Sequence, residues 1–269
     1  MSSSRLRVGA FVTPGDAVTL TQGDSTTCGA TVVLAARLLL GTTGAAGGSA
    51  SGPTGSLPGL RLTRALHAEQ RRLQARMNRR SGGPLGPLPW TRRLGSTPWA
   101  VARALGEDLD AGVPVGSVGS AGPAGPAGAA YRVRWVREGG PGWADDVARM
   151  RRALDAGLPA AVLVGGPLVR PRPDGAGPVR ALCRAVAGPA ALALPPVPRH
   201  YVLALPWRLA GQDDPGPGRV HVYEPSSGSV RVLDLLAPRG PAAPGPRELG
   251  YWPRILALIT PIPAPRGRP

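Results

Sequence analysis

The sequence predicts an α+β protein in which a helical half comes first and an antiparallel sheet follows. In the first half, apolar residues recur at helical spacing, above all in the run at residues 31–40. In the last third they alternate with period two between turns rich in Gly and Pro. A chain of 269 residues can bury a sizeable core, and no repeat or clear boundary divides it. We therefore expect a single domain over residues 1–269.

The first helix follows a polar turn that carries Cys28. One of the hydroxyl residues at 25–27 can cap this helix, residues 31–40 are apolar on almost every face, and Gly41 is a natural stop. A helix that is apolar all round lies inside a protein. The pattern therefore predicts a buried central helix that holds Cys28 rigidly at one end of the core.

Between this helix and the sheet, periodic segments alternate with breakers. Further helices are expected at residues 60–80, 98–105 and 143–156, and strands at 131–136 and 158–164. Stretches rich in Gly, Pro, Ser or Ala predict flexible loops near 41–59 and 111–130 and a long insertion at 165–198. The second cysteine, Cys183, falls within that insertion.

The sheet half contains four candidate strands, at residues 200–205, 219–224, 229–233 and 254–260. A tail rich in Pro and Arg follows the last of them. If strand 219–224 pairs antiparallel with strand 200–205, the start of one strand lies beside the end of the other. That pairing brings the carboxylate of Glu224 next to the imidazole of His200.

Four side chains from these elements can support nucleophilic chemistry. A cysteine at a helix N-terminus meets free backbone N–H groups and the positive end of the helix dipole, and both favour the thiolate. Gln22, six residues before Cys28, can turn its amide NH₂ toward the sulfur and form an oxyanion hole with the Cys28 N–H. A cysteine nucleophile also needs a base and a group that orients the base. His200 and Glu224 are the candidates for these two tasks.

Four short motifs in this order resemble the papain-like cysteine peptidases. They are Gln-(five residues)-Cys-Gly within residues 22–30, Gly-Leu-Pro-Ala-Ala-Val-Leu-Val within 156–164, His-Tyr-Val-Leu within 199–205 and Glu-Pro-Ser-Ser-Gly within 223–228. Within that superfamily the chain is most similar to the bacterial peptidases that process bacteriocin leaders and to their free-standing relatives. The middle and the tail of the chain do not take part in the resemblance.

The resemblance implies a papain-like fold, in which the helix that carries the cysteine packs against the C-terminal antiparallel sheet. It implies a thiol hydrolase with Cys28 as nucleophile, Gln22 as oxyanion-hole donor, His200 as general base and acid, and Glu224 as the residue that orients His200. The expected substrate is a peptide or protein, and no metal or organic cofactor is required. The chain departs from the family at Glu224, where Asp or Asn usually precedes the Pro. A papain-fold acyltransferase and an inactive papain-like binding module are the alternatives.

Other polar residues compete for these roles. His221 lies three residues before Glu224, so its side chain is expected on the opposite face of the sheet. Asp213 and Asp214 precede a Pro, but they fall at a hairpin tip, where solvated turn residues are expected. We therefore favour His200 as the base and Glu224 as the acid.

Two further residues have simpler interpretations. His67 falls on the expected helix 60–80, where packing is the simpler role. Cys183 is taken as incidental, although a disulfide between Cys28 and Cys183 would defeat the catalytic interpretation. With two Cys, three His and no Cys-x-x-Cys, the chain offers no obvious zinc ligand set.

The composition is strongly basic. All 32 basic residues are Arg, and the formal net charge is +16. Abundant Ala, Gly, Pro and Arg are typical of proteins encoded by GC-rich DNA, so much of this charge is read as a solvated surface. An acidic partner for the Arg-rich surface stays open, but nucleic acid is not expected, because one Phe, four Tyr and six scattered Trp make no stacking platform.

The sequence also indicates the cellular compartment in which we expect the protein. The first twenty residues contain no apolar core of a signal peptide, and no apolar stretch reaches the length of a membrane span. We therefore expect a cytoplasmic protein with reduced thiols and no membrane span.

Overall fold

The computed structural model of the chain describes residues 4–5, 7–8, 18–40, 58–79, 81, 95–110, 129–166, 197–240 and 244–262. These residues form an α+β fold, as the sequence predicts. Helices cover both faces of one antiparallel sheet.

The strands are β1 (Ser4–Arg5), β2 (Arg7–Val8), β3 (Val18–Thr19), β4 (Tyr131–Trp135), β5 (Ala160–Gly166), β6 (Val197–Leu205), β7 (Arg219–Glu224), β8 (Ser229–Asp234) and β9 (Arg254–Pro261). Seven of them form the main sheet in the order β1-β8-β7-β6-β5-β9-β4, and β2 pairs with β3 in a small separate ribbon. All of these pairings are antiparallel. Strand β6 therefore lies in the middle of the sheet, between β5 and β7.

The helices divide between the two faces of the sheet. They are α1 (Cys28–Leu40), α2 (Pro58–Arg79), α3 (Pro98–Asp110) and α4 (Trp143–Asp155), with a 3₁₀ turn at Arg247–Leu249. Side chains of α1, α2 and α3 share one hydrophobic core with the sheet, whereas α4 and the 3₁₀ turn belong to a second core on the opposite face. The residues of α1 from Cys28 to Ala36 are all buried, which confirms the expected central helix.

Several expected boundaries are wrong by a few residues. Helix α3 continues to Asp110 rather than ending at residue 105. The sequence places a stop there because Gly106 disfavours helix. In the fold, Gly106 packs against the segment just before β4, where a Cβ would lie 3.5 Å from Ala129 O. Helix α2 begins at Pro58, inside the loop expected near 41–59, and proline is favoured in the first helical turn.

The insertion expected at 165–198 is shorter than predicted at both ends. Strand β5 continues through Gly165 and Gly166, which pair with Pro198 and Val197 of β6. Glycine permits this close approach, because a Cβ on Gly165 would lie 2.2 Å from the carbonyl oxygen of Val197. Residues 41–57, 111–128 and 167–196 and the tail from 263 lie outside the described residues, and so does Cys183.

Within the described part of the chain, no helix combines the length and the apolar character needed to cross a bilayer.

Candidate active site

His200 and Glu224 meet at the end of the sheet where the ladder between β6 and β7 stops. The last paired residues there are Leu203 and Tyr223. Side chains alternate along a strand, so His200 and Glu224 lie on the same face just beyond that pair. His200 Nε2 is 2.8 Å from Glu224 Oε1, and the two side chains are only 8% and 4% exposed. The predicted strand pairing therefore brings these two residues together.

Cys28 is the first residue of α1 and is 3% exposed. Its side chain faces His200, and interaction with the sulfur is one of the causes that raise the pKa of the imidazole. Since Nε2 of the imidazole faces Glu224, the ring nitrogen left for the sulfur is Nδ1. Gly29 allows the helix to approach β6 closely, because a Cβ there would lie 3.2 Å from Val101 Cγ2 and 3.3 Å from Tyr201 Cδ2. The helix start and the strand thus hold thiol, imidazole and carboxylate in one row.

The charged forms of His200 and Glu224 stabilise each other. Burial by itself lowers the pKa of His200, but hydrogen bonds and charge from Cys28 and Glu224 raise it to about 9. Burial raises the pKa of Glu224, but hydrogen bonds from His200, Ser226 and Ser227 lower it to about 2. At neutral pH the imidazole is therefore protonated and the carboxylate ionised.

Glu224 is anchored by the turn that follows it. Ser226 donates its backbone N–H (2.8 Å) and its hydroxyl to Oε1, and Ser227 donates its backbone N–H (2.9 Å) and its hydroxyl (2.7 Å) to Oε2. The side chain is thus folded back over its own turn. This folding takes up the extra methylene, so a glutamate here reaches the imidazole at hydrogen-bond distance.

Gln22 enters the site on a segment that runs along the same turn. Its N–H donates to Pro225 O at 2.8 Å, and Tyr223 donates its hydroxyl to Leu20 O at 3.0 Å. Gly228, with φ +66°, makes room for this segment, since a Cβ there would lie 2.6 Å from Leu20 O. These contacts fix the start of the cysteine turn relative to Glu224.

The side chain of Gln22 is not used for packing the turn. Its Oε1 is buried and has no hydrogen-bond partner among the described residues. Leaving a buried polar group unpaired costs about 1–3 kcal/mol, so such a group calls for an explanation beyond stability. The partnerless atom is the acceptor of the amide, whereas an oxyanion would be met by the donor Nε2 of the same side chain.

Thr27 precedes the first residue of α1. The carbonyl of Thr27 accepts the Thr31 N–H at 2.8 Å, which makes Thr27 the N-cap residue. Its hydroxyl, however, accepts from the Asp24 N–H at 3.2 Å and donates to Asp24 O at 3.0 Å. The hydroxyl therefore closes the turn that leads into Cys28 and does not cap the helix.

Two glutamines of α2 hold the cysteine turn, and sequence reasoning missed both. Gln70 bonds to Gly23 and Thr21, and Gln74 donates to the carbonyl and the hydroxyl of Thr26, each at 2.9 Å. One signal was present in the sequence. Gln70 falls on the apolar stripe of α2, four residues after Leu66 and three before Leu73, where a polar side chain needs a buried partner.

Gly250, which follows the 3₁₀ turn, was also missed. It has φ +60°, and a Cβ there would lie 2.9 Å from His200 Cδ2 and 3.1 Å from His200 Nε2. The backbone at Gly250 therefore covers the imidazole directly, on the side of the 3₁₀ turn. No local pattern signals this contact, because it joins segments that are distant in the sequence.

The competing residues lie elsewhere. His221 is buried, and its Nε2 is 2.8 Å from Asp213 O in the connection between β6 and β7. Asp214 is exposed at that hairpin, where it pairs with Arg151 and accepts the Gly216 N–H.

His67 lies on α2 against Gly23, as expected for a packing residue. The structure describes Cys28 as a free cysteine.

Within the described part of the chain, no group of three or more His, Cys, Asp or Glu is arranged to hold a metal ion.

Comparison of the chain with family models, curated proteins and solved structures finds no match. The site defines a class of arrangement: a buried cysteine–histidine–carboxylate row at the junction of a helix N-terminus and an antiparallel sheet.

Proposed function

We propose that the chain is a papain-like cysteine peptidase, a thiol hydrolase that acts on a peptide or amide bond. One observation carries the proposal: the buried imidazole of His200 lies 2.8 Å from the Glu224 carboxylate and interacts with the Cys28 sulfur, and both partners raise its pKa. A cysteine nucleophile needs a base oriented by a third group, and these three residues supply that set.

The chemistry follows from the arrangement. The Cys28 thiolate attacks the carbonyl carbon, and the negative charge moves to the carbonyl oxygen, where the Cys28 N–H and the Gln22 amide stabilise it. The proton on His200 passes to the leaving amine as the C–N bond breaks, which leaves a thioester on Cys28. His200 then takes a proton from water, whose oxygen attacks the thioester and releases a carboxylic acid and the Cys28 thiolate, which restores the starting thiolate–imidazolium pair.

The pKa values support this assignment. With a pKa of about 9, His200 holds at neutral pH the proton that the leaving amine needs. With a pKa of about 2, Glu224 stays ionised and keeps Nε2–H pointing toward itself. A reducing, cytoplasmic setting would keep the nucleophile as a thiol, and a peptide substrate with acidic residues would suit the net charge of +16.

The first experiment measures the rate of Cys28 alkylation by iodoacetamide at pH 7. It uses a Cys183→Ala background, so that Cys28 is the only thiol. We expect His200→Ala to slow alkylation about tenfold or more, because the imidazolium that stabilises the thiolate is gone. His221→Ala is the matched control, since it removes another buried histidine that bonds to Asp213 and should leave the rate unchanged. Equal rates in all three proteins would rule out the thiolate–imidazolium pair.

The second experiment separates hydrolysis from the two alternatives. p-Nitrophenyl acetate is expected to transfer its acetyl group to Cys28 with release of p-nitrophenolate, and mass spectrometry of the protein detects the thioester. A hydrolase then releases acetate and turns over in water alone. An acyltransferase accumulates the thioester until an amine such as glycinamide is added. An inactive binding module forms no thioester at Cys28.

A further inference from the structure

We propose that Gln70 is a positioning residue of the oxyanion hole: its side-chain amide clamps the backbone on both sides of Gln22 and so aims the Gln22 amide at the reacting carbonyl oxygen. This inference rests on the function proposed above. It assigns a role to α2, a helix whose sequence indicates little beyond an apolar stripe and exposed arginines.

The clamp consists of two hydrogen bonds from one buried side chain. Gln70 Oε1 accepts the Gly23 N–H at 2.8 Å, and Gln70 Nε2 donates to Thr21 O at 2.8 Å. The residue is 0% exposed, so water cannot replace either bond. Both the donor and the acceptor end of the amide are matched, which fixes its orientation as well as its position.

The bonded groups flank Gln22 itself. The Thr21 carbonyl belongs to the peptide unit before Gln22, and the Gly23 N–H belongs to the peptide unit after it. The Gln22 N–H, in the first of these units, donates to Pro225 O at 2.8 Å. Three hydrogen bonds therefore set both peptide planes around Gln22. Because the direction of Cβ follows from φ and ψ, they also set where its side chain starts.

The side chain of Gln22 has no such anchor of its own. Its Oε1 is buried without a partner among the described residues. The amide that carries the donor Nε2 is therefore not held in place through its oxygen, so its aim has to come from the backbone. Preorganised donors are effective because they need no reorganisation when the charge develops.

Gln74 provides a matched control on the same helix. One turn beyond Gln70, it donates to Thr26 O and Thr26 Oγ1, each at 2.9 Å. It therefore holds the other side of the turn, next to the helix start and away from Gln22. Loss of either glutamine loosens the turn, but only Gln70 acts on the two peptide units that carry Gln22.

The test compares two reactions of Cys28 in the Cys183→Ala background. Alkylation by iodoacetamide displaces iodide and forms no oxyanion, whereas acylation by p-nitrophenyl acetate passes through a tetrahedral oxyanion. The ratio of acylation rate to alkylation rate therefore reports the oxyanion hole alone. Loss of one oxyanion donor typically costs about 10²–10³-fold, so we expect Gln22→Ala to lower this ratio strongly.

Gln70→Met, which keeps the length of the side chain and removes both hydrogen bonds, is expected to lower the ratio about tenfold or more. Alkylation itself should stay within about twofold of the parent rate, because Cys28 and His200 are untouched. Gln74→Met should lower the ratio less than Gln70→Met does, because Gln74 contacts neither of the peptide units that flank Gln22. The double variant Gln22→Ala/Gln70→Met should show the same ratio as Gln22→Ala, because Gln70 acts only through Gln22.

Three results would overturn the inference: an unchanged ratio in Gln70→Met, an equal loss in Gln74→Met, or an additional loss in the double variant. If Gln70→Met does not fold, Gln70→Asn serves instead, since its amide is one methylene too short to reach Thr21 and Gly23 together. Failure of the proposed function looks different. The parent protein itself would then show neither His200-dependent alkylation nor acylation.

Discussion

The carboxylate of Glu224 lies 2.8 Å from His200 Nε2, although Glu224 sits where a shorter acid is expected in a papain-like site. The distance is achieved because Ser226 and Ser227 draw both carboxylate oxygens back over the turn. The turn and the acid thus form one unit, in which the reach of the side chain is set by its own neighbours. This unit leads to a first prediction about the length of the acid.

Replacing Glu224 with Asp is expected to weaken the site despite the conservative chemistry. The side chain becomes shorter by one C–C bond, about 1.5 Å, and cannot serve His200 and the two serines together. We expect iodoacetamide to alkylate Cys28 about tenfold more slowly at pH 7, less than the 10⁴-fold known for loss of an orienting acid in serine triads. An Asp variant that reacts as fast as the parent would show that the turn does not set the reach.

The titration of His200 is a second prediction. Its pKa is raised to about 9 because the hydrogen bonds with Cys28 and Glu224 outweigh burial. NMR of histidine-labelled protein should therefore show an imidazole that titrates near pH 9. In Glu224→Gln the titration midpoint of His200 should move to lower pH. Burial still disfavours the charged imidazolium, and the carboxylate that offsets this effect is gone. A parent midpoint at or below the ordinary 6.5 would contradict the ion pair.

Gly250 provides a third prediction with a close control. Alanine at φ +60° is strained, and its Cβ would also lie 2.9 Å from His200 Cδ2. We expect Gly250→Ala to displace the imidazole and to slow alkylation of Cys28 by about 10- to 100-fold.

Gly211→Ala separates the contact from the backbone strain. Gly211 has φ +63°, and no atom lies within 4 Å of the Cβ position. Both variants should lose about 1 kcal/mol of unfolding free energy from the backbone, but Gly211→Ala should keep the parent alkylation rate. Similar alkylation rates in the two variants would mean that Gly250 does not position His200.

The dependence of stability on pH is a fourth prediction. Glu224 has its pKa lowered from 4.5 to about 2, so its contribution is present above pH 4.5 and is lost as pH falls through 2. His200 has its pKa raised from 6.5 to about 9, so its contribution is present below pH 6.5 and is lost as pH rises through 9. The stabilisation from the pair should therefore be greatest between pH 4.5 and 6.5.

Urea unfolding of the parent and of Glu224→Gln measures this contribution. We expect Glu224→Gln to lower the unfolding free energy by about 3 kcal/mol near pH 6, because the shifted pKa of the carboxyl is lost. The difference between the two proteins should shrink as the pH is lowered from 4.5 toward 2. A difference that stays constant over this range would show that the ionised carboxylate does not stabilise the fold.

The parts of the fold that the sequence predicts well are those with a strong local pattern. Helix α1 is apolar on every face, and β7 and β8 alternate with period two on either side of a Pro-Ser-Ser-Gly turn. The weaker boundaries lie at Gly106 and Gly165, where glycine suggests a break that tertiary packing overrides.

The sequence by itself determined the order of the candidate site residues and where each sits on its element. Cys28 begins a helix, His200 lies on a strand, and Glu224 ends the neighbouring strand, so one pairing rule was enough to place the last two together. This was possible because the period of apolar residues shows which face of a helix or strand is buried, and that pattern lies within the element itself.

The tertiary structure alone decided how these residues work together. Gln70 bonds to the cysteine turn, and the backbone at Gly250 lies directly against His200. Both contacts join segments that lie far apart in the chain. The raised pKa of His200 depends on Cys28 and Glu224, which lie on other elements and outweigh the opposing effect of burial. The lowered pKa of Glu224 depends in part on His200, from the neighbouring strand. The stripe of α2 indicates that Gln70 is buried, but no periodic pattern indicates which segment it contacts, because that depends on how whole helices and strands pack against one another.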